Sequence, residues 1–365
     1  MKIIRQIEVF APDYLGKMDV LIAGGKILAV EEQLEGGYEG VEVEELSGEG
    51  KVLTPGFIDC HFHILGGGGE GGYQNRTPEV TLSQLTTAGV TTVVGCLGTD
   101  GEGRDMTALI SKAKGLEAEG ISTYVYEGSY RLPVKTVTDS IIKDFLTIDK
   151  IIGIGEIAVS DHRSSQPSFE EFARAVADAR VGGMLSGKAG IINVHLGGGK
   201  RKLELLTRIV EETEIPITQF LPTHANRTPE LFEACVAFAK RGGTIDFTAS
   251  EDPDFWEKTD GEVRFSKALK RLIEEGVGSA KALLVGIKEA VQKESIPLEI
   301  ALRAITCNPA RILKLDKKGK IEIGADADLC ILDKETLDID TVIAKGEIMV
   351  QEKEVKVWGT FEKSF

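Results

Sequence analysis

Apolar runs alternate with helical patterns through the middle of the chain, and this alternation restricts the possible folds more than any other feature. The helical patterns include residues 82–89, 106–120, 169–183 and 228–243. The apolar runs are rich in Val, Ile or Phe, and most of them end in polar or titratable residues. There are seven of them, GFIDCHFH, TTVVGCLGT, STYVYEGSY, IIGIGEIAVSD, GIINVHLG, ITQFLPTHAN and TIDFTAS.

Repeated strand–helix units with nearly continuous apolar strands predict a parallel sheet covered by helices. Functional residues at the carboxyl ends of such strands are typical of a (β/α)8 TIM barrel, whose active site lies on that face. We therefore predict an α/β fold with this barrel in residues 53–318. Short strand patterns in residues 1–52 and 319–365 predict one small β-sandwich domain formed from both termini, because chain termini often lie close together.

Four of the five histidines and one glutamate occupy the predicted strand ends. His61 and His63 are two residues apart in one strand, so their side chains point to the same side. His195, His224 and Glu156 end three other strands, and imidazoles with a carboxylate suit zinc or a similar divalent ion. A single strand histidine is more often a packed residue, and Glu156 alone would also fit a salt-bridged barrel residue. Their occurrence together on one face favours a metal site.

Composition and charge limit which binding partners and which cellular compartment are expected for this chain. The formal net charge of −15 argues against a nucleic-acid partner, which requires a basic surface. No apolar run approaches the length of a membrane span, and the first residues lack a signal-peptide core. The five scattered cysteines contain no CxxC pair, so they indicate neither a disulfide framework nor a zinc knuckle. We predict a soluble, cytoplasmic protein.

Several segments carry a resemblance to a known family. PGFIDCHFH resembles the first-strand signature of the amidohydrolase superfamily, and GADADLCILD resembles the strand pair with which those chains re-enter their small β domain. Within that superfamily the chain is most similar to the isoaspartyl (β-aspartyl) dipeptidases, which are zinc peptidases. The similar segments cover essentially the whole chain in order, and they are HILGGGGEGG, GCLGTDG, EGSYRLP, SDHRSSQPS, LPTHANRTPELFE and GGTIDFTAS.

The resemblance implies a two-zinc centre. His61 and His63 would hold one ion, and His195 and His224 would hold the other. The family commonly bridges the two ions with a carboxylated lysine, and Glu156 stands at that position here. A glutamate bridge carries the same charge but is shorter, so either it bridges with a local backbone adjustment or the site holds only one ion firmly. A homo-oligomer is also expected for this family.

The resemblance further implies a substrate site. Glu70, assisted by Thr99, would bind the α-ammonium group of the substrate, and Tyr130 would polarise the scissile carbonyl. Arg163 and Arg227 would bind substrate carboxylate. A β-aspartyl dipeptide has one amine and two carboxylates, so one acidic and two guanidinium groups complement it.

Each of these residues also has an ordinary structural interpretation. The arginines would fit solvated surface residues, Tyr130 would fit a core aromatic residue, and the glycines around Glu70 would fit a flexible linker. A phosphate-binding loop is disfavoured, because the sequence lacks the GK[ST] ending and Glu70 would repel phosphate.

The predicted activity is zinc-dependent hydrolysis of β-aspartyl dipeptides by a metal-activated hydroxide. Two alternatives remain at this level, and they belong to different classes. One is another amidohydrolase that opens a cyclic amide or removes an N-acyl group, although a neutral ring needs no clamp of Glu70 and two arginines. The other is a catalytically inactive metal-binding homologue.

The family's general base, an aspartate on the eighth strand in an SSDG-like segment, has no counterpart in this sequence. Asp246 and Asp252 are the only local candidates for that role. The helical patterns at 264–277 and 278–292 meet at Val277–Gly278 with no strand between them.

A closed barrel needs its eighth strand, and we therefore hypothesise that roughly two dozen residues are missing between Val277 and Gly278. The intact mass of the full-length protein tests this hypothesis. A mass near 39.4 kDa would contradict it.

Overall fold

A computed structural model describes residues 1–36, 40–249, 252–275 and 284–362. Its central element is a parallel sheet of six strands in sequential order. The sheet accounts for six of the seven predicted runs. Its strands are β6 (Phe57–Phe62), β7 (Val90–Gly95), β8 (Ser122–Glu127), β9 (Ile151–Val159), β10 (Ile191–Leu196) and β11 (Phe220–Thr223).

Each pair of neighbouring strands in this sheet is connected through a helical segment on the outside. Every residue of β7, β9 and β10 is buried, as expected for strands that are covered on both faces. The sheet is curled and fits a TIM-like barrel. The connecting helices are α1 (Leu82–Thr86), α2 (Met106–Glu119), α3 (Ile141–Thr147), α4 (Phe169–Ser186) and α5 (Glu204–Glu212).

A short 3-10 helix (Ile217–Gln219) precedes β11, and the remaining α-helices of the described residues follow that strand. The helical patterns at 228–243, 264–277 and 278–292 correspond to the first, third and fourth of them. The four are α6 (Pro229–Lys240), α7 (Pro253–Thr259), α8 (Phe265–Glu274) and α9 (Leu284–Gln292), and two short helices come after them, α10 (Leu298–Arg303) and α11 (Cys307–Ile312).

The seventh run, TIDFTAS, was predicted to be a regular strand, and this prediction is wrong for its described residues. Asp246 does exchange two backbone hydrogen bonds with the β11 region, from its amide to Pro222 O (2.8 Å) and from Ala225 N to its carbonyl (3.0 Å). Two residues further on, the side-chain amide of Asn226 binds both the N–H and the C=O of Thr248. The backbone polar groups there are therefore satisfied by a side chain instead of a strand ladder.

The junction at Val277–Gly278, where the eighth strand was expected, lies outside the described residues. On the opposite edge of the sheet, Ile58 N donates to Ile305 O (2.9 Å), which brings the segment before α11 against β6. The hypothesis of an omitted segment therefore stays a prediction.

Strands from both ends of the chain form a second sheet of nine strands. The two ends join where β5 pairs with β12 in antiparallel register, Leu53 opposite Ile331. This agrees with the predicted β structure from both termini, whereas its sandwich form and the boundaries at 52 and 319 stay predictions. The strands are β1 (Lys2–Phe10), β2 (Tyr14–Ala23), β3 (Lys26–Glu31), β4 (Glu44–Ser47), β5 (Lys51–Pro55), β12 (Leu329–Asp333), β13 (Ile339–Ala344), β14 (Glu347–Gln351) and β15 (Glu354–Val355).

Among the described residues, none of the helices combines the length and apolar character that crossing a membrane would require.

A buried pair of carboxyl groups lies where β8 ends. Glu127 is fully buried beside Asp144 of α3. Asp144 in turn accepts hydrogen bonds from the backbone amides of Val137 and Thr138 and from the Thr138 hydroxyl. Burial, together with the neighbouring Asp144, raises the pKa of Glu127 from its ordinary value of 4.5 to about 10. Glu127 is therefore protonated at neutral pH and Asp144 carries the charge.

This pair predicts a specific dependence of stability on pH. Between about pH 5 and 9 the folded chain keeps the Glu127 proton and the unfolded chain does not, so the free energy of unfolding falls as pH rises, by up to about 1.4 kcal/mol per pH unit. The Glu127→Gln variant has no proton to lose and should show a flatter profile in thermal unfolding. Exposed Glu233→Gln is the control and should follow the wild type, and parallel profiles for Glu127→Gln and wild type would contradict the assignment.

Candidate metal centre and substrate site

The carboxyl ends of the parallel strands bring the predicted metal ligands together. His61 lies on β6, Glu156 on β9 and His195 on β10, and His224 directly follows β11. Because the strands run in the same direction, these positions meet at one edge of the sheet. Glu156 is fully buried among the four histidines that the sequence singled out.

Two overlapping groups of potential ligands share Glu156. His61, His63 and Cys96 form the first group with it, and His195 and His224 form the second, with the ligand atoms of each group within 4.8 Å of one another. In the first group, Glu156 Oε2 is 3.5 Å from His61 Nε2, and its Oε1 is 3.3 Å from His63 Nε2. In the second, Oε2 is 3.1 Å from His195 Nδ1 and 3.9 Å from His224 Nε2.

The charges in this cluster suit a cation. Burial by itself would raise the pKa of Glu156, but the charge of His61 and the hydrogen bond and charge of His195 hold the pKa well below its ordinary value. Burial lowers the pKa of His63, and burial with repulsion from His195 lowers that of His224. The ionised Glu156 carboxylate and the lowered pKa values of His63 and His224 suit metal ligands. His195 differs, because burial alone would lower its pKa but hydrogen bonds to Asp161 and Glu156 raise it, so it would release a proton on binding a metal ion.

Two further observations fit a metal ion at this position. Glu156 Oε1 is buried and has no hydrogen-bond partner among the described residues. Gly98 faces the same space, where a Cβ atom would lie 3.0 Å from His63 Cε1 and 3.6 Å from Glu156 Oε1. The glycine thus leaves room next to a buried carboxylate oxygen that has no hydrogen bond, and the donor set of imidazole, thiol and carboxylate suits zinc.

Tyr130 follows β8 and reaches the same cluster. Its hydroxyl oxygen lies 2.8 Å from His195 Nδ1, and the residue is 4% exposed. Burial, with the charge of Glu156 added to it, raises the pKa of Tyr130 above its ordinary value. The phenol therefore keeps its proton and can donate a hydrogen bond at any ordinary pH.

The predicted amine-binding and carboxylate-binding residues contact one another. Thr99 Oγ1 donates to Glu70 Oε1 (2.7 Å), and Arg163 Nη1 donates to the same oxygen (2.9 Å). The Thr99 hydrogen bond, aided by Arg163, holds the pKa of Glu70 below its ordinary value. The Glu70 side chain is 36% exposed, so its carboxylate is partly open to solvent. Glu70 lies at the mouth of the site because a surface glycine loop carries it.

Arg163 and Arg227 connect this pair to the metal ligands. Arg163 Nη2 lies 3.1 Å and Arg227 Nη1 lies 3.4 Å from His195 Nε2. The Arg163 guanidinium carbon is also 5.2 Å from the centre of the Tyr130 ring. Both arginines therefore line the site instead of lying on open surface.

The glycine loop that carries Glu70 is a folded element and not a flexible linker. Gly68 forms a bridge with Arg76, and Gly67 N donates to Thr77 Oγ1 (2.7 Å). Gly68 has φ +71°, and a Cβ there would lie 2.6 Å from Asn75 O. Glycine is required because the loop folds back onto its own backbone.

Four residues of the site were not singled out by the sequence. Asp161 forms two hydrogen bonds with the Arg163 guanidinium and lies 3.2 Å from His195 Nε2. Asn193 Oδ1 is 2.9 Å from His61 Nδ1, and Thr248 Oγ1 is 2.6 Å from His224 Nδ1. The fourth residue is Cys96. Asn193 is two residues before His195 and therefore on the same face of β10, which was the available signal.

The two aspartates considered as substitute bases have other contacts. Asp246 Oδ2 accepts a hydrogen bond from Thr223 Oγ1 (2.6 Å). Asp252 is the N-cap of α7 and accepts from Phe255 N (3.0 Å). Asp252 therefore has a structural role at a helix end.

The curled parallel sheet with a histidine–carboxylate cluster at its carboxyl edge defines an amidohydrolase. Residues 280–350 match the model of the amidohydrolase family. A β-aspartyl dipeptidase of Fervidobacterium islandicum, solved in complex with the dipeptide β-Asp-Leu, superposes with a TM-score of 0.90. It is 45% identical, over 97% of this chain and 98% of that one. The chain therefore belongs to the β-aspartyl dipeptidase family of the amidohydrolase superfamily.

More distant relatives include other amidohydrolase activities. An adenine deaminase of Bacillus licheniformis is 25% identical over 94% of this chain, which spans only 56% of the deaminase. A dihydroorotase of Geobacter metallireducens is 24% identical over 90% of this chain and 89% of its own length. The chain thus spans little more than half the length of the adenine deaminases that it matches.

Glu156 belongs to both groups of potential ligands, and its charge should therefore affect metal affinity. The Glu156→Gln variant keeps the shape but removes the charge, so we expect zinc to bind at least about tenfold more weakly. Competition with a chelator measures this, and Glu233→Gln serves as the matched control on the surface. Unchanged zinc affinity in Glu156→Gln would show that the carboxylate is not a ligand.

Proposed function

We propose that this protein is a zinc-dependent hydrolase of β-aspartyl dipeptides. The observation that carries the proposal is the ion pair of Glu70 and Arg163 beside the metal ligands. A β-aspartyl dipeptide is a small molecule with one ammonium group and two carboxylates. This part of the site offers the Glu70 carboxylate and two guanidinium groups, while a second carboxylate, Asp161, is bound to Arg163. Family membership, with a dipeptide-bound relative, supports the same substrate class.

His61, His63, His195, His224 and Glu156 would hold the metal, and we propose two zinc ions per subunit. When bound, zinc supplies a Lewis acid that polarises the amide carbonyl and makes a water nucleophilic near neutral pH. Glu156 is ionised in this cluster and the pKa values of His63 and His224 are lowered, as metal ligands require, whereas His195 would release its proton on binding.

Tyr130 would act on the scissile amide. Its phenol is protonated and buried next to His195, so it can donate a hydrogen bond to the carbonyl oxygen, where negative charge develops during attack. We therefore assign it the catalytic role of stabilising that oxygen.

Substrate binding would exchange one ion pair for two. The substrate ammonium takes the place of Arg163 at Glu70, with Thr99 keeping its hydrogen bond to the carboxylate. A substrate carboxylate takes the place of Glu70 at Arg163, and Arg227 provides a second guanidinium nearby. Asp161 keeps Arg163 in position during the exchange, because it binds two of the guanidinium nitrogens, Nε and Nη2, and leaves Nη1 for the ligand.

A cyclic-amide hydrolase is the second candidate, because the dihydroorotase relative matches along nearly its whole length. A ring such as hydantoin has no ammonium group for Glu70. Turnover of β-Asp-Leu, α-Asp-Leu, hydantoin and dihydroorotate by the zinc-loaded protein separates the candidates. We expect hydrolysis of β-Asp-Leu alone, and its absence in the zinc-loaded, full-length protein would refute the proposal.

Loss of the Glu70 charge should weaken catalysis on the dipeptide. A charge-assisted hydrogen bond contributes about 1.5–3 kcal/mol, so Glu70→Gln should lower kcat/KM for β-Asp-Leu on the order of 10- to 100-fold. Zinc content should stay unchanged, since Glu70 is not in either ligand group.

Arg163→Lys should lower kcat/KM by a similar factor, because lysine cannot bind Asp161 and substrate together through a planar fork. The exposed Arg131→Lys variant is its control. Steady-state kinetics with wild-type values for both Glu70→Gln and Arg163→Lys would contradict the proposed substrate clamp. The homo-oligomer and the cytoplasmic location stay predictions.

A further inference from the structure

Cys96 lies directly after β7. Its sulfur faces His61, which is on β6, and His63, which directly follows that strand. Sγ is 3.8 Å from His61 Nε2 and 3.6 Å from His63 Nδ1. The residue is 1% exposed, and its backbone N–H donates to Phe62 O (3.0 Å), which fixes it against β6. The neighbours of this sulfur are therefore metal-binding side chains.

The spacing around His61 Nε2 matches a zinc site. Zinc–ligand bonds of about 2.0–2.3 Å in a tetrahedron place neighbouring ligand atoms roughly 3.3–3.8 Å apart. His61 Nε2 lies 3.5 Å from Glu156 Oε2 and 3.8 Å from Cys96 Sγ, and both contacts fall in this range. On His63 the contacts use different ring nitrogens, Nε2 at 3.3 Å from Glu156 Oε1 and Nδ1 at 3.6 Å from Cys96 Sγ, so His63 would coordinate the ion through one of them only.

A role in core packing alone explains the position of Cys96 less well than a role as a metal ligand. Small buried cysteines often only fill space, and Cys60, which is equally buried, packs in the same apolar cluster. All five cysteines are among the described residues, and within that part of the chain Cys96 is the one that joins a group of potential metal ligands. The Glu156 Oε1 atom is buried, has no hydrogen bond and lies 3.3 Å from His63 Nε2, so this buried anionic oxygen also points to a cation there.

We propose that Cys96 is a metal ligand. His61, His63, Cys96 and Glu156 then hold one zinc ion with four protein ligands, the arrangement of tightly held structural zinc. The thiol gives its proton to solvent as the sulfur coordinates the ion. The second group, Glu156, His195 and His224, offers three ligands and leaves a position open for the substrate, as catalytic zinc sites do. The inference rests on the proposed zinc centre and not on the identity of the peptide.

X-ray absorption at the zinc edge of the zinc-loaded wild-type protein tests this directly. We expect a sulfur scatterer at about 2.3 Å, retained in the control Cys235→Ala, whose buried cysteine lies on α6, and lost in Cys96→Ala. Chelator competition should show at least about tenfold weaker binding of the tighter ion in Cys96→Ala. The wild-type measurement stands even where Cys96→Ala fails to fold.

The outcomes separate the two proposals. Zinc bound through nitrogen and oxygen atoms alone, in a protein that hydrolyses β-Asp-Leu, overturns the role of Cys96 and leaves the proposed function intact. A sulfur ligand in a protein that does not hydrolyse β-Asp-Leu supports the metal site and overturns the proposed function. Absence of bound zinc overturns both.

Discussion

The site depends on one buried charge, the Glu156 carboxylate. A carboxylate removed from water costs several kcal/mol unless partners compensate it. Here the partners are four imidazoles from three separate strand ends, at 3.1–3.9 Å. Both ligand groups contain Glu156, so its position fixes how the two groups lie relative to each other. The hydrogen bonds of Asn193 and Thr248 to the outer ring nitrogens orient two of these imidazoles towards it.

The histidines and Glu156 could be predicted from sequence because two rules locate them, the side-chain period of a strand and the common direction of parallel strands. The period of two in a strand places His61 and His63 on one side, and parallel strands place their carboxyl ends at one edge. Cys96 and Asp161 also follow strand ends. In the sequence, however, a cysteine in an apolar run indicates ordinary core packing, and an aspartate two residues before an arginine indicates a local salt bridge. Their roles depend on contacts with other strands, which sequence spacing does not specify.

For the run TIDFTAS, the sequence predicts a strand that the described residues do not form. Its β-branched and aromatic residues favour a strand, but strand propensity measures fit to a neighbouring strand more than a property of the segment. Asn226, some twenty residues earlier, takes over the backbone groups of Thr248. A long-range side-chain contact therefore decides the local structure. The exposure of Glu70 has a related cause, since the fold of the glycine loop depends on backbone contacts with residues 75–77.

The partly exposed Glu70–Arg163 pair also explains how a widely used barrel could select a charged dipeptide. An ion pair in contact with water contributes only about 0–1 kcal/mol, so separating it costs little. A zwitterionic ligand replaces it with two charge-assisted contacts, each of which is stronger because the ligand excludes water. A neutral ring could not compensate either charge and would leave one of them desolvated if it displaced the pair. Selectivity would then come from the glycine loop and Arg163, and the metal centre itself would be shared with relatives that act on other substrates.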